Sequence, residues 1–105
     1  MKLWIDDLRP APKGYEWCKS VNEAIDTIIM GEALTPLNFF VNIIELIDID
    51  HDAGDYAKDG GDYIKLLDWL EETGRNYPIR IHSANPVGVE NMRAIIQRNG
   101  WKEVK

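Results

Sequence analysis

The chain has 105 residues, 18 Asp plus Glu against 12 Lys plus Arg, a net charge of −6, one cysteine and 45% apolar residues. That length supports one domain, 1–105, without room for a second core, and the apolar fraction with four tryptophans excludes a disordered chain. The acid excess argues against non-specific DNA binding, which needs cations to meet phosphates; no apolar run approaches a membrane span; and the first residues carry no signal-peptide pattern. The lone Cys18 fits a reducing, cytoplasmic setting.

In chain order, Lys2-Leu3-Trp4-Ile5 reads as a short buried strand running into Asp6-Asp7. Arg9 to Gly14 holds two prolines, which remove donors and fix φ, so it is neither helix interior nor central strand. Tyr15 to Lys19 is a second short strand. Ser20-Val21-Asn22-Glu23 is a capping-box pattern, and Val21, Ala24, Ile25, Ile28 and Ile29 share one helical face, with Gly31 placed to stop the helix. From Leu37 to Ile49 two readings compete. Phe39, Phe40, Ile43, Ile44 and Ile47 fit a helical period, whereas Ile47-Asp48-Ile49-Asp50 alternates and is β-branched. The strand is preferred for the C-terminal part, and Glu45 and Asp48 then need partners or an exposed edge.

Asp62 reads as an N-cap for a helix whose face is Tyr63, Leu66, Leu67 and Leu70, ending at Gly74. Tyr77 to Ser83 is a strand entered through Pro78. Asn85-Pro86 is an N-cap with Pro at N1; Val89, Met92, Ile95 and Ile96 give that helix its buried face, and Gly100 ends it. Trp101 to Val104 is a short last strand, and the four tryptophans, Trp4, Trp17, Trp69 and Trp101, are assigned to the core rather than to base stacking.

Strands alternating with helices indicate an α/β fold on a mostly parallel sheet, which binds ligands at the carboxyl ends of its strands. Eight residues, Asp7 to Gly14, are short for a parallel crossover, so the second strand is expected either antiparallel or outside the sheet.

The carboxyl-edge rule collects Asp6, Asp7, Asp50 and Ser83. Three carboxylates in one cleft repel each other, and a hard divalent cation such as Mg²⁺ relieves that repulsion and can hold phosphate oxygens. Ser83 with the helix start at Pro86 offers a hydroxyl and free amides to an anion, and Arg9 offers a guanidinium fork. His51 follows Asp50 and His82 precedes Ser83, so either can serve as acid or base. The wider run Asp48, Asp50, Asp52, Asp55, Asp59 and Asp62, opposed only by Lys58, is not an EF-hand loop: Ala53 stands where its glycine belongs and Asp59 where its glutamate belongs. Asp48-Ile49-Asp50 after an apolar run also resembles the haloacid-dehalogenase phosphatases, which need a larger domain than this chain supplies.

Trp4-Ile5-Asp6-Asp7-Leu8-Arg9-Pro10-Ala11-Pro12, then Asp50-His51-Asp52-Ala53-Gly54, Trp69-Leu70, and His82-Ser83-Ala84-Asn85 with Met92 resemble the cyclic-phosphate-processing receiver-like domains, relatives of the response-regulator receiver domain, over about residues 2 to 100. The resemblance implies a receiver-like (flavodoxin-like) sheet of about five short strands flanked by helices, with the helix after the acid pair replaced by the Pro-rich segment. It implies Asp6 and Asp7 as metal-binding acids, Asp50 as the counterpart of the phospho-accepting aspartate, and Ser83 as the switch hydroxyl. His51, Asp52, His82 and Asn85 match the family's own additions, and Asp6, Asp7, Asp50 and Asp52 together are the candidate ligands for Mg²⁺ or Mn²⁺. Three features depart from the pattern: the Pro-rich segment, a longer stretch from Ala33 to Asn42, and a receiver lysine for which only Lys102 or Lys105 is a candidate.

These readings converge on a metal-dependent phosphohydrolase. Asp50, His51, His82 and Ser83 are its catalytic candidates, and Arg9, Ser83 and Asn85 its substrate contacts. Its partner, as the resemblance implies, is a phosphate-containing small molecule or an RNA end carrying a cyclic phosphate, in a role the resemblance ties to RNA repair. Two rival readings are a stand-alone receiver that is phosphorylated or binds a partner, and an anion-binding module without turnover.

Overall fold

Short runs of three or four residues, each followed by a polar residue (Asp6, Lys19, Asp50 and His82), build the sheet. In a computed structural model that describes residues 1–33 and 44–105, β1 (Lys2–Ile5), β2 (Tyr15–Cys18), β3 (Leu46–Ile49) and β4 (Ile79–Ile81) form one parallel sheet in the order β2-β1-β3-β4. The expected last strand contracts to a single bridge, Ile79 to Glu103, made by Ile79 N donating to the Lys102 carbonyl at 2.9 Å and Val104 N to the Ile79 carbonyl at 2.8 Å. Three helices follow strands: α1 (Val21–Ala33), α2 (Ile64–Glu72) and α3 (Pro86–Asn99), with a short 3-10 turn at Gly54–Lys58. This is the receiver-like architecture. The helical reading of Phe39, Phe40 and Ile43, and the long stretch up to Asn42, lie outside the described residues. No helix among the described residues is long and apolar enough to cross a membrane.

The second strand corrects an expectation: β2 lies in the sheet and runs parallel to β1, Lys2 opposite Tyr15 and Ile5 opposite Cys18. The objection to so short a return assumes a helical crossover at about 1.5 Å per residue. Extended proline-rich chain covers about 3.1 Å per residue, enough to bring Asp6–Gly14 back along a four-residue strand. The return is fastened by Trp4 Nε1 donating to the Arg9 carbonyl (2.8 Å) and Tyr15 N to the Pro12 carbonyl (3.1 Å). The Pro-rich segment thus stands in place of a first helix.

Side chains alternate across a strand, and burial follows. Leu3, Ile5, Ile47, Ile49 and Ile79 are fully buried, in one cluster with Val21, Ala24 and Ile28 of α1, Leu66, Leu67 and Leu70 of α2, and Met92, Ile95 and Ile96 of α3. Residues of the other parity, Lys2, Trp4, Tyr15, Trp17 and Arg80, keep surface in water, whereas Leu46 and Asp48 of the central β3 are buried as well. The tryptophan assignment is therefore corrected in part: Trp101 is buried and Trp69 packs against the core, but Trp4 and Trp17 belong to the opposite, partly open face.

Two local signals also resolve differently. Ser20 Oγ accepts from Glu23 N at 3.0 Å as the capping box requires, but α1 runs through Gly31, which is buried within it, to Ala33. Ile29, expected on the buried face, is 46% exposed. Asp62 does not cap α2, whose N-cap is Tyr63. Its carboxylate accepts from Ala53 N at 3.1 Å and ties the acidic loop to the helix start. The α3 signals hold: Asn85 Oδ1 accepts from Gly88 N at 3.0 Å, and Gly100 closes the helix at φ 67°.

Candidate functional site at the carboxyl edge of the sheet

The ladder continues one residue past three strands. Asp6 N donates to the Cys18 carbonyl (3.2 Å), Asp50 N to the Ile5 carbonyl (2.9 Å) and His82 N to the Ile49 carbonyl (2.9 Å). Backbone pairing thereby sets Asp6, Asp50 and His82 side by side on adjacent chain segments. Each offers one ligand atom, and these atoms lie within 4.8 Å of one another.

Asp6 is 1% exposed. Its Oδ1 accepts from Leu8 N and Arg9 N, each at 2.9 Å; its Oδ2 meets His82 Nε2 at 2.9 Å, with Arg9 Nε at 3.9 Å. Burial alone would raise this carboxyl, but the Arg9 and Leu8 amides and His82 outweigh it and hold the group below its ordinary value. Asp7 behaves oppositely. Burial pushes its carboxyl up, and the charges of Asp6, Asp50 and Asp52 push it further. Asp7 also lies against Gly54, where φ is +55° and a Cβ would overlap Asp7 Oδ2, so a side chain is excluded there twice over.

His82 lies just past the end of β4, as sharing the working edge with Ser83 requires. Its Nδ1 meets Asp48 Oδ1 at 2.6 Å while Nε2 meets Asp6, and its ring stacks on Trp4 with centroids 3.7 Å apart. Asp48, 1% exposed in the middle of β3, thus finds the partner its burial requires, with Arg80 Nη1 at 3.9 Å from its Oδ2. With both nitrogens taken and the side chain 12% exposed, His82 has no ring position open to substrate.

His51 is arranged differently. Asp50 Oδ1 accepts from the His51 backbone N at 2.8 Å, and His51 Nδ1 meets Asp52 Oδ1 at 2.8 Å. Asn85 Nδ2 is farther from the same nitrogen, at 3.5 Å. The shorter contact assigns the Nδ1 proton to Asp52 and leaves Nε2 with its lone pair. The ring lies against Gly88 of α3, where a Cβ would overlap it. Ser83 Oγ accepts from Asn85 N at 3.1 Å, so its hydroxyl proton is free to turn outward.

The structure thus gathers Asp6, Asp7, Asp50 and His82, with His51, Asp52 and Asn85 linked to one another beside Asp50. Asp52, 64% exposed, faces His51 rather than the Asp6–Asp50–His82 group. The start of α3 offers an anion less than expected, because Pro86 has no N–H and Asn85 already takes the amides of Gly88 and Val89. Lys105 pairs with Glu103 at 3.3 Å. Asp48, Trp4, Gly54 and Gly88 enter the site without having been read from the sequence. Asp48 alone carried a signal, as a buried acid needing a partner.

Acids and histidines gathered at the carboxyl edge of a parallel sheet define a receiver-like α/β domain with an ionic pocket. Residues 1–98 match the family model of the cyclic-phosphate processing receiver domain, and the chain belongs to that family. No curated protein and no solved structure gives a significant match.

Proposed function

We propose that the protein is a metal-dependent phosphohydrolase that opens cyclic phosphates on nucleotides or RNA ends, in a cytoplasmic RNA-repair setting. The carrying observation is the convergence of Asp6, Asp50 and His82 within 4.8 Å, in a chain of this family. Two carboxylates and an imidazole fit a divalent cation, and the upward push on Asp7 is a repulsion that a cation would relieve. Asp6, Asp7 and Asp50 are the acids that would hold Mg²⁺ or Mn²⁺, which supplies positive charge for phosphate oxygens.

The chain's own groups do the rest. His51 Nε2, its tautomer set by Asp52, takes a proton from the attacking water and returns it to the ribose oxygen released as the ring P–O bond breaks. The Ser83 hydroxyl and the Arg9 guanidinium, 55% exposed beside Asp6, bind the phosphate. Asn85 caps the helix start beside His51.

The test is product analysis of nucleoside 2′,3′-cyclic phosphates incubated with protein and Mg²⁺ or Mn²⁺. The expected result is a nucleoside monophosphate, with turnover falling roughly 10²- to 10⁴-fold in His51→Gln. Absence of turnover on any cyclic substrate, with a stable phosphoryl adduct on Asp50 after acetyl phosphate treatment, would replace the hydrolase with a receiver-type switch. The position of Asp50 at the end of β3, beside Asp6, favours that second reading over a pocket that only binds anions.

A further inference from the structure

We propose that His82 is a metal ligand through Nε2, that Asp48 orients it, and that the pocket therefore prefers a later first-row cation such as Co²⁺ or Zn²⁺ over Mg²⁺. This deepens the reading of the same pocket and rests on its holding a cation. Metal-bound histidines as a rule give their second ring nitrogen to a carboxylate, which fixes the tautomer and raises ligand basicity. His82 has that arrangement before any cation is considered. Asp48 Oδ1 holds Nδ1 at 2.6 Å from a position 1% exposed, and Trp4 stacks on the ring with the planes 4° from parallel. Rotation about the side chain is blocked by the stack, and Nε2 points at the carboxylates of the cleft.

The spacing agrees. Nε2 lies 2.9 Å from Asp6 Oδ2. Two adjacent ligands bound at about 2.1 Å and near a right angle are about 3 Å apart. One separation serves a hydrogen bond when the site is empty and neighbouring ligands when it is filled. Asp50 completes the group within 4.8 Å. Asp6 keeps its alignment throughout, because the Leu8 and Arg9 amides hold its other oxygen. Carboxylates alone suit Mg²⁺ and Mn²⁺, whereas imidazole suits the later first-row cations, so the histidine changes which cation the pocket selects.

Pulsed EPR of the Mn²⁺-loaded protein with ¹⁵N-labelled histidine reads the bond directly and needs no variant. Nitrogen coupling is expected in the wild type and in His51→Gln, and its loss in His82→Gln. In calorimetry Asp48→Asn should weaken Co²⁺ binding about 10- to 100-fold while Mg²⁺ binding changes far less. Bound Mn²⁺ with no nitrogen coupling in the wild type, or coupling lost in His51→Gln, overturns His82 as the ligand and leaves the hydrolase reading standing. No binding of any of these cations at millimolar concentration overturns both. Because the wild-type spectrum decides, misfolding of the His82 variant does not shield the proposal.

Discussion

The imidazole of His82 lies flat on the indole of Trp4, 3.7 Å between centroids, while its two nitrogens face Asp48 and Asp6. The ring is thus held in its plane by two carboxylates and out of it by an aromatic face. Trp4→Ala should lower stability by roughly 2 kcal/mol, from lost apolar burial and stacking. Trp4→Phe keeps a face for the ring and loses mainly the Nε1 bond to the Arg9 carbonyl, about 1 kcal/mol. Urea unfolding of the two variants checks this, and equal losses would show that stacking contributes little.

Gly88 is inside α3, where alanine ordinarily gains about 1 kcal/mol over glycine. Here a Cβ would overlap the His51 ring. Gly88→Ala should therefore gain nothing, push the ring off Asp52, and lower cyclic-phosphate turnover about as far as His51→Gln. Histidine NMR should show the His51 resonances move. A variant stabilised by the full helix-propensity gain with unmoved His51 resonances would show that the close approach is relieved elsewhere.

Burial and the charges of Asp6, Asp50 and Asp52 raise Asp7 in the folded protein. A carboxyl with a raised folded value weakens the fold as it ionises, so the loss grows as pH climbs from the ordinary aspartate range through the folded value. Asp7→Asn should raise the melting temperature of the metal-free protein at pH 7, and the gain should vanish at pH 3. In the presence of a binding divalent cation the order should reverse, since the wild type gains ligand stabilisation that the variant loses. A thermal scan in which Asn melts no higher than Asp without metal contradicts the repulsion.

Far from the pocket, Arg75 meets Glu32 through Nε and Nη2, the latter at 2.8 Å from Oε1, and the Tyr77 hydroxyl also donates to Glu32. Arg75 holds the Glu32 carboxyl below its ordinary value against the opposing effect of burial. A lowered carboxyl contributes stability above its unfolded value and loses it as pH falls through the folded one. Glu32→Gln should cost roughly 1 kcal/mol at pH 7, discounted because both side chains keep contact with water. The difference from wild type should narrow as pH falls from the ordinary glutamate range through the lowered folded value, and a gap that stays undiminished in acid would assign the effect to shape rather than charge.

What the sequence discloses follows the range of each interaction. Lys2–Ile5 running into Asp6-Asp7 is a local pattern, as are the Ser20 and Asn85 caps and the Leu66–Leu67–Leu70 face, and each is found in the structure. Asp50 and His82 are legible as site candidates because strand ends in parallel sheets meet. The Asp48–His82 pair is not, since it spans 34 positions and depends on β3 and β4 being neighbours in a fixed register. Gly88 carries no mark of His51, and Asp62 and Gly31 carry spacing signals that tertiary contacts override. The parallel β2 escapes any reading that measures the return by a helix, because extended proline chain reaches farther.

That nine-residue return also bears on the order of assembly. Lys2 pairs with Tyr15 thirteen positions away but with Leu46 forty-four positions away. Loop-closure entropy grows with the logarithm of length, so joining β1 to β3 costs about 1 kcal/mol more than joining β1 to β2. The N-terminal pair is the less costly nucleus, and it already presents Asp6 and Asp7. β3 then arrives carrying Asp48 and Asp50, so the like charges first meet at this docking step. The electrostatic cost of the pocket thus falls on a late event in folding, where screening by salt would act on the rate of assembly.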